Sequence, residues 1–277
     1  MDALLPPEMA RKAEAVGVAK AGLDGLSTFL LAVLAGAFIG LGAVFATTVV
    51  AGTGELAWGV VRLLAGTVFS LGLVLVIVGG AELFTGNNLI VMAWAAGKVD
   101  TGRLLRNWTI VYAGNFVGSV GTAALVFVGG HHTFGGGTVG ATALSIAEAK
   151  MGLGFVQAIA LGVLCNALVC LAVWLTFSAR TVAGKIAAIV PPIAAFVAAG
   201  FEHSVANMYF VPQALLIRAG ATDDFWQAIG STAGDHSSLT AGGFLLWNLL
   251  PVTLGNIVGG AVLVGLVYWT IHLRNRP

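Results

Sequence analysis

Six long apolar stretches, near 26–51, 63–96, 104–130, 153–177, 186–217 and 243–271, leave this chain few ways to fold. Each exceeds the ~20 residues that an α-helix needs to cross ~30 Å of hydrocarbon. In lipid every backbone N–H and C=O must be satisfied within the protein, and for stretches this long and apolar the solution is helical. Only 9% of the residues are charged and mean hydropathy is +0.96, where a soluble domain carries about 25% charged residues. The sequence therefore predicts an all-α, multi-pass membrane protein. A net charge of +1 argues against nucleic acid as a partner, and 39 glycines suit helices that pack backbone to backbone among membrane lipids.

Six crossings put both termini on one side, and Lys and Arg decide which. With the termini inside, the inner positives are Arg11, Lys12, Lys20, Lys98, Arg103, Arg106, Arg180, Lys185, Arg274 and Arg276. The outer ones are only Arg62, Lys150 and Arg218. The expected organisation is a cytoplasmic amphipathic segment at 1–25, with its helix starting after Pro6-Pro7, a channel domain at 26–272 and a cytoplasmic tail at 273–277. The opening residues mix charges and contain no apolar core, so they do not read as a signal peptide.

The second and fifth stretches are too long for one straight crossing, and each is punctured by a carboxylate: Glu82 in "GGAELFTGNN" and Glu202 in "GFEHSVANM". Glycine and polar residues at such an interruption mark a broken helix whose unwound backbone lines a cavity. The halves repeat. Gly80-x-Glu82-x4-Asn87 returns as Gly200-x-Glu202-x4-Asn207, and Gly114-Asn115-x-Val117-Gly118 returns as Gly255-Asn256-x-Val258-Gly259. Three spans per half is odd, so the halves are expected to be inverted across the membrane, giving a 3+3 repeat with the second and fifth helices broken.

An ionisable residue inside the membrane costs several kcal/mol and calls for a role. Glu82 and Glu202, at equivalent places, read as scaffolding that accepts hydrogen bonds near the breaks. His203 reads either as a neutral core histidine bonded to backbone or, because the helix break supplies a cavity, as functional, and the second is the expectation. Thr85 would either donate to a passing anion or cap the next half-helix. Phe69, Leu73, Leu83, Phe84 and Phe196 lie near the interruptions, where apolar side chains either pack or constrict. Cys165 and Cys170, five residues apart, read as buried small hydrophobes, and His131-His132 without neighbouring carboxylates make a weak metal site. No metal and no cofactor is expected, and no catalytic constellation such as a Walker loop, GxSxG or HExxH is present.

The stretches "PPEMARKAEAVGVAKA", "GAELFTGNN", "NWTIVYAGNFVGS", "GVLCNALVCLAVW", "GFEHSVANMYFVP" and "LLPVTLGNIVGGAVLVGLVYW" closely resemble, in order and over nearly the whole chain, the formate/nitrite transporter family of bacterial and archaeal anion channels. The resemblance implies an aquaporin-like fold, an inner-membrane location and a homopentamer with a pore in each protomer. Carried over position by position, it makes His203 the central pore histidine and Thr85 the threonine of the second-helix loop. Leu73, Leu83 and Phe84 would form the inner constriction, and Phe69 and Phe196 the outer one. Lys150 would draw anions into the outer vestibule, while Asn166 and Asn207 would help orient the loops and the histidine, with Glu202 beside them at the substrate pore. The fifth span and the last look most like the formate branch. Gly86-Asn87, after the threonine, departs from that branch, leaving room for a nitrite or hydrosulfide preference, with acetate also among the small anions expected.

The expected chemistry suits a small monovalent acid. An apolar constriction opposes a naked anion by several kcal/mol while the neutral acid crosses easily. His203 would hydrogen-bond the anion or hand it a proton, so that passage is coupled to protonation. A neutral-solute channel of the aquaporin type and a membrane-embedded enzyme subunit are the rival readings. The first sits badly with the acid–base pair and Lys150, the second with the missing catalytic cluster.

Overall fold

A computed structural model describes residues 3–274. Arg276, counted above among the inner charges, lies outside them, as does the end of the expected tail beyond Arg274. The chain is helical, with no strand among the described residues. Its elements are α1 (Pro6–Gly22), α2 (Gly25–Val50), α3 (Trp58–Gly79), α4 (Phe84–Asn87), a tight turn (Asn88–Ile90) leading into α5 (Val91–Ala95), α6 (Thr101–Val128), α7 (Thr138–Met151), α8 (Phe155–Ser178), α9 (Val182–Ala199), α10 (Ser204–Gly220), α11 (Asp223–Ile229) and α12 (Ala241–His272). Six of them, α2, α3, α6, α8, α9 and α12, are long and apolar enough to cross a membrane. Polar caps mark where apolar runs begin. Asp24 accepts from the Ser27 N–H at 2.9 Å, Asp100 from Arg103 at 2.8 Å, and Thr181 Oγ1 from Gly184 at 3.0 Å.

The second and fifth spans are broken, as their glycines predict. α3 ends at Gly80 (φ 82°) and α9 at Gly200 (φ 76°), both left-handed, a conformation that glycine adopts without steric cost. The chain then runs through extended residues before α4 and α10 begin. Two stray amides are satisfied in parallel: Glu82 N–H donates to Leu31 O at 3.2 Å and Glu202 N–H to Leu161 O at 3.3 Å.

Those matched bonds belong to an inverted repeat that relates α2 to α8, α3 to α9, the α4–α5 run to α10, and α6 to α12. The same glycine contact closes both halves. A Cβ on Gly118 of α6 would overlap the Val33 carbonyl oxygen of α2, and one on Gly259 of α12 would overlap that of Val163 in α8. The repeat is larger than the sequence pattern indicated, because α1 has a counterpart in α7. At 14 residues, α7 is too short to cross hydrocarbon and reads as part of an outer loop. Each half therefore comprises a short flanking helix followed by three spans. α1 covers one face of the molecule, where its small buried residues Ala10, Ala13 and Gly17 lie against the α4–α5 run, and α7 covers the opposite face.

Candidate functional site

Each carboxylate at a break is held in a clamp, and the two clamps are mirror copies. Lys20 Nζ lies 2.7 Å from Glu82 Oε1, and Lys150 Nζ lies 2.9 Å from Glu202 Oε1. Asn87 Nδ2 donates to Glu82 Oε2 at 2.6 Å, and Asn207 Nδ2 to Glu202 Oε2 at 2.7 Å. Each of these asparagines also donates to a second one, Asn107 at 3.0 Å or Asn248 at 2.9 Å. These in turn donate to the Lys20 and Lys150 carbonyls. A third pair fixes the half-helix starts. Asn115 Oδ1 accepts from Phe84 N–H and Asn256 Oδ1 from Ser204 N–H, both at 2.9 Å, while their amide groups reach the Glu82 and Glu202 carbonyls. Both carboxylates are thus paired, the condition for keeping a charge out of water.

Symmetry breaks at the centre. His203 occupies the place that Leu83 takes in the first half, and Thr85 the place that Val205 takes in the second. The two odd residues meet: Thr85 Oγ1 lies 2.9 Å from His203 Nε2, with both residues buried. His203 also caps α10, its Nδ1 accepting from the Ala206 N–H at 3.0 Å. A backbone N–H can only donate, so Nδ1 carries no hydrogen in this arrangement and the neutral ring holds its proton on Nε2. That proton points at Thr85 Oγ1, leaving the threonine O–H to donate onward.

Beside His203 of this pair, Ile39, Phe69, Leu73, Leu83, Val169, Ile193 and Phe196 enclose a chamber of about 10 Å³, room for about one water. Phe196 stacks on the imidazole at 5.9 Å and meets Phe69 edge-on at 5.8 Å, closing the side toward α7. Wider vestibules lie beyond. The one on the α7 face has a volume of about 410 Å³ and carries Arg62, Lys150 and Glu202; that on the α1 face, about 370 Å³, carries Lys12, Lys20, Lys185 and Glu82.

The structure brings His203, Thr85, Phe69, Phe196, Leu73 and Leu83 together. Phe84 is not among them. It turns toward α6, edge-on to Tyr112 at 4.9 Å and to Trp108 at 6.1 Å, and lines a lateral groove. One residue past Leu83 at a helix start, its side chain points about 100° away. Asn207 serves the Glu202 clamp and not the imidazole. Asn166 donates to Asn88 Oδ1 at 2.8 Å and to Asn256 O at 2.7 Å, tying the α4–α5 run to α12. Lys150 lines its vestibule, but as half of an ion pair, 5.4 Å from the Phe210 ring. The cysteines are buried, and Cys170 Sγ lies 3.3 Å from Thr85 O. His132 packs between Phe127 and Phe225, while His131 lies 3.2 Å from Thr48 Oγ1.

Asn107 and Asn248 escaped the sequence reading, and Lys20 entered it only as an inner charge, although signals existed. Ala-Lys-x-Gly at 19–22 recurs at 149–152, and Asn107-x7-Asn115 recurs as Asn248-x7-Asn256. Arg62 was noted only as a surface charge. Its guanidinium donates to the Ala198 carbonyl at 3.1 Å and to that of Val197, capping the end of α9 where it faces the vestibule.

A family model described as formate/nitrite transporter matches residues 7–270. Formate channel FocA of Escherichia coli (strain K12) is 46% identical over 275 residues, covering 99% of this chain and 96% of that protein. Formate channel FocA of Haemophilus influenzae is 41% identical over 263 residues, covering 95% and 93%. A solved structure described as a pentameric formate channel with formate bound superposes with a TM-score of 0.86 at 46% identity, covering 90% of this chain and 98% of that one. Another, described as an FNT family ion channel, gives 0.82 at 32% identity, covering 95% and 98%.

Proposed function

This chain belongs to the formate/nitrite transporter family, and we propose that it is a formate channel, assembled as a homopentamer, in which His203 couples passage of the anion to protonation. It is a multi-pass membrane protein and not an enzyme. We place its α1 face in the cytoplasm of a bacterial or archaeal inner membrane, because ten of the 13 Lys and Arg fall on that side. The segments 1–25, 26–272 and 273–277 then serve as cytoplasmic flank, channel and cytoplasmic tail.

The observation that carries this reading is the Thr85–His203 pair, whose histidine lines an apolar chamber between two cationic vestibules. The neutral ring donates from Nε2 to Thr85, so the threonine O–H is free for a carboxylate oxygen of the entering anion. Half-helices α4 and α10 both begin here, and their positive ends favour negative charge. A naked anion in this chamber is costly, and its field attracts a proton. The ring can receive one only on Nδ1, which must first release the Ala206 N–H. Protonation and the first turn of α10 are therefore linked. The imidazolium then passes its Nε2 proton to Thr85 Oγ1 while the threonine O–H proton goes to the carboxylate, leaving a neutral ring protonated on Nδ1, and the acid leaves toward either vestibule as a neutral species. Gly86 and Asn87, where the sequence departs from the formate branch, serve the α1-face vestibule and the Glu82 clamp. Neither lines the chamber, and their departure favours no other substrate.

His203→Asn tests the proposal, because asparagine also caps helices and keeps a donor but has no transferable proton. Proteoliposomes loaded with a pH dye and given a formate gradient should show assembled protein that has lost formate-coupled proton movement and its pH profile. Wild-type formate and proton flux with an unchanged profile would show that the imidazole only packs. Parallel gradients of nitrite and hydrosulfide rank the substrates, and osmotic swelling tests the neutral-solute reading.

A further inference from the structure

The two vestibules are built by one repeat, so any charge present in only one of them is an addition to what the fold requires. The Lys–Glu–Asn clamp is common to both. Lys12 and Lys185 are not: their mirror positions are Thr142 and Ala65, both uncharged. The α1-face vestibule thus presents three ammonium groups against the single carboxylate of Glu82, whereas the opposite one sets Arg62 and Lys150 against Glu202. Arg62 is moreover engaged by the α9 carbonyls. Lys20 is held by Glu82 and by Asn87 Oδ1 at 3.1 Å, and Lys12 donates to the Phe177 carbonyl at 3.0 Å. The Lys185 ammonium makes no hydrogen bond or ion pair among the described residues. Burial first, and then the nearby charges of Arg180 and Lys185, push the Lys12 ammonium below the ordinary lysine range.

We propose that the α1-face vestibule is a binding site for small oxyanions carrying two or more negative charges, which lodge between Lys12, Lys20 and Lys185 and block the channel from that face alone. A cavity of about 370 Å³ accepts a phosphate or a small tricarboxylate. Such an ion gains from every cation, while the chamber beyond has room for about one water. Desolvation cost grows with the square of the charge, so a dianion that binds here does not follow a monovalent acid through. The blocking role rests on the anion-channel reading above; the binding site itself does not.

Oriented proteoliposomes test this, with orientation read from cleavage of a protease site placed at the N-terminus. Formate flux is measured while orthophosphate or citrate, at matched ionic strength, is added to one face. Inhibition is expected from the α1 face at concentrations at least about tenfold lower than from the other, with citrate stronger than phosphate and the effect fading as salt rises. Lys185→Gln and Lys12→Gln, each normalised to its own uninhibited flux, should weaken the block by roughly three- to tenfold. Equal inhibition from both faces, or a block unchanged in Lys185→Gln, overturns the proposal. Calorimetric titration of the detergent-solubilised protein with citrate supplies the second readout. Binding that weakens in Lys185→Gln supports the site even if wild-type liposomes move no formate, an outcome that would sink only the transport reading. Formate flux without citrate binding would sink only the site.

Discussion

Lys150→Met separates two roles that the sequence could not distinguish. If Lys150 only attracts anions, its loss changes flux at low substrate concentration and little else. The structure demands more, because its Nζ is 2.9 Å from a carboxylate oxygen in a pair whose side chains are 15% and 5% exposed. Methionine matches the lysine stem in volume but leaves Glu202 with the Asn207 amide as its remaining side-chain donor. Stranding one member of a buried pair costs about 3–5 kcal/mol, most of it the price of an uncompensated charge. Glu202→Gln on that background removes the stranded charge while keeping an acceptor for Asn207, so the double variant should recover more than about half of the loss. The mirror variant, Lys20→Met, should cost less, about 1–3 kcal/mol, because water reaches Lys20 at 27% exposure. Chemical denaturation of the detergent-solubilised protein, followed by tryptophan fluorescence, measures all three. A Lys150→Met protein as stable as the wild type, or a double variant weaker than the single, would refute this account and return Lys150 to the role of a vestibule charge.

Thr85→Val should leave the His203 Nε2–H without an acceptor, destabilise the protein by about 1–3 kcal/mol and depress formate flux, whereas Thr85→Ser should restore both; denaturation and liposome flux check this. Gly259→Val should yield little folded protein on size-exclusion chromatography, because the new side chain meets the Val163 carbonyl oxygen, while Gly54→Val, in open space, should behave as wild type. The Ser27 N–H holds the Asp24 carboxyl below its ordinary range. A depressed folded value stabilises above the unfolded one, so this contribution is full at neutral pH and lost as pH falls through the acid range; Asp24→Asn should keep the cap and remove that part of the acid sensitivity, as denaturation from pH 7 to pH 3 would show.

The breaks were legible because charge is rare in this chain: a carboxylate flanked by glycine in an apolar run stands out, and finding it twice exposes the repeat. Polar residues near span ends do not stand out, which hid Lys20, Asn107 and Asn248 among ordinary interfacial residues until the clamps assembled them. Phe84 was misplaced for a different reason. Its direction depends on the phase of a helix that starts at Phe84 itself, after an extended segment where helical periodicity no longer applies. Lys150 was visible as a charge, but its partner is 52 residues away and only the packing of α7 on the broken span joins them.

The partners of each clamp have one further consequence, for how the protein is made. Lys20, Glu82, Asn87, Asn107 and Asn115 all precede residue 116, and their copies all follow residue 149. A nascent chain emerges N-terminus first at ≈ 5–20 residues per second. The first carboxylate to enter the bilayer can therefore be fully neutralised by segments already synthesised, before any of α8 leaves the ribosome. The contacts that wait are those joining the halves, among them Thr85 to His203 and Asn88 to Asn166. Insertion can thus proceed as two self-sufficient steps, and the permeation pathway comes into being only when the second finished piece docks on the first.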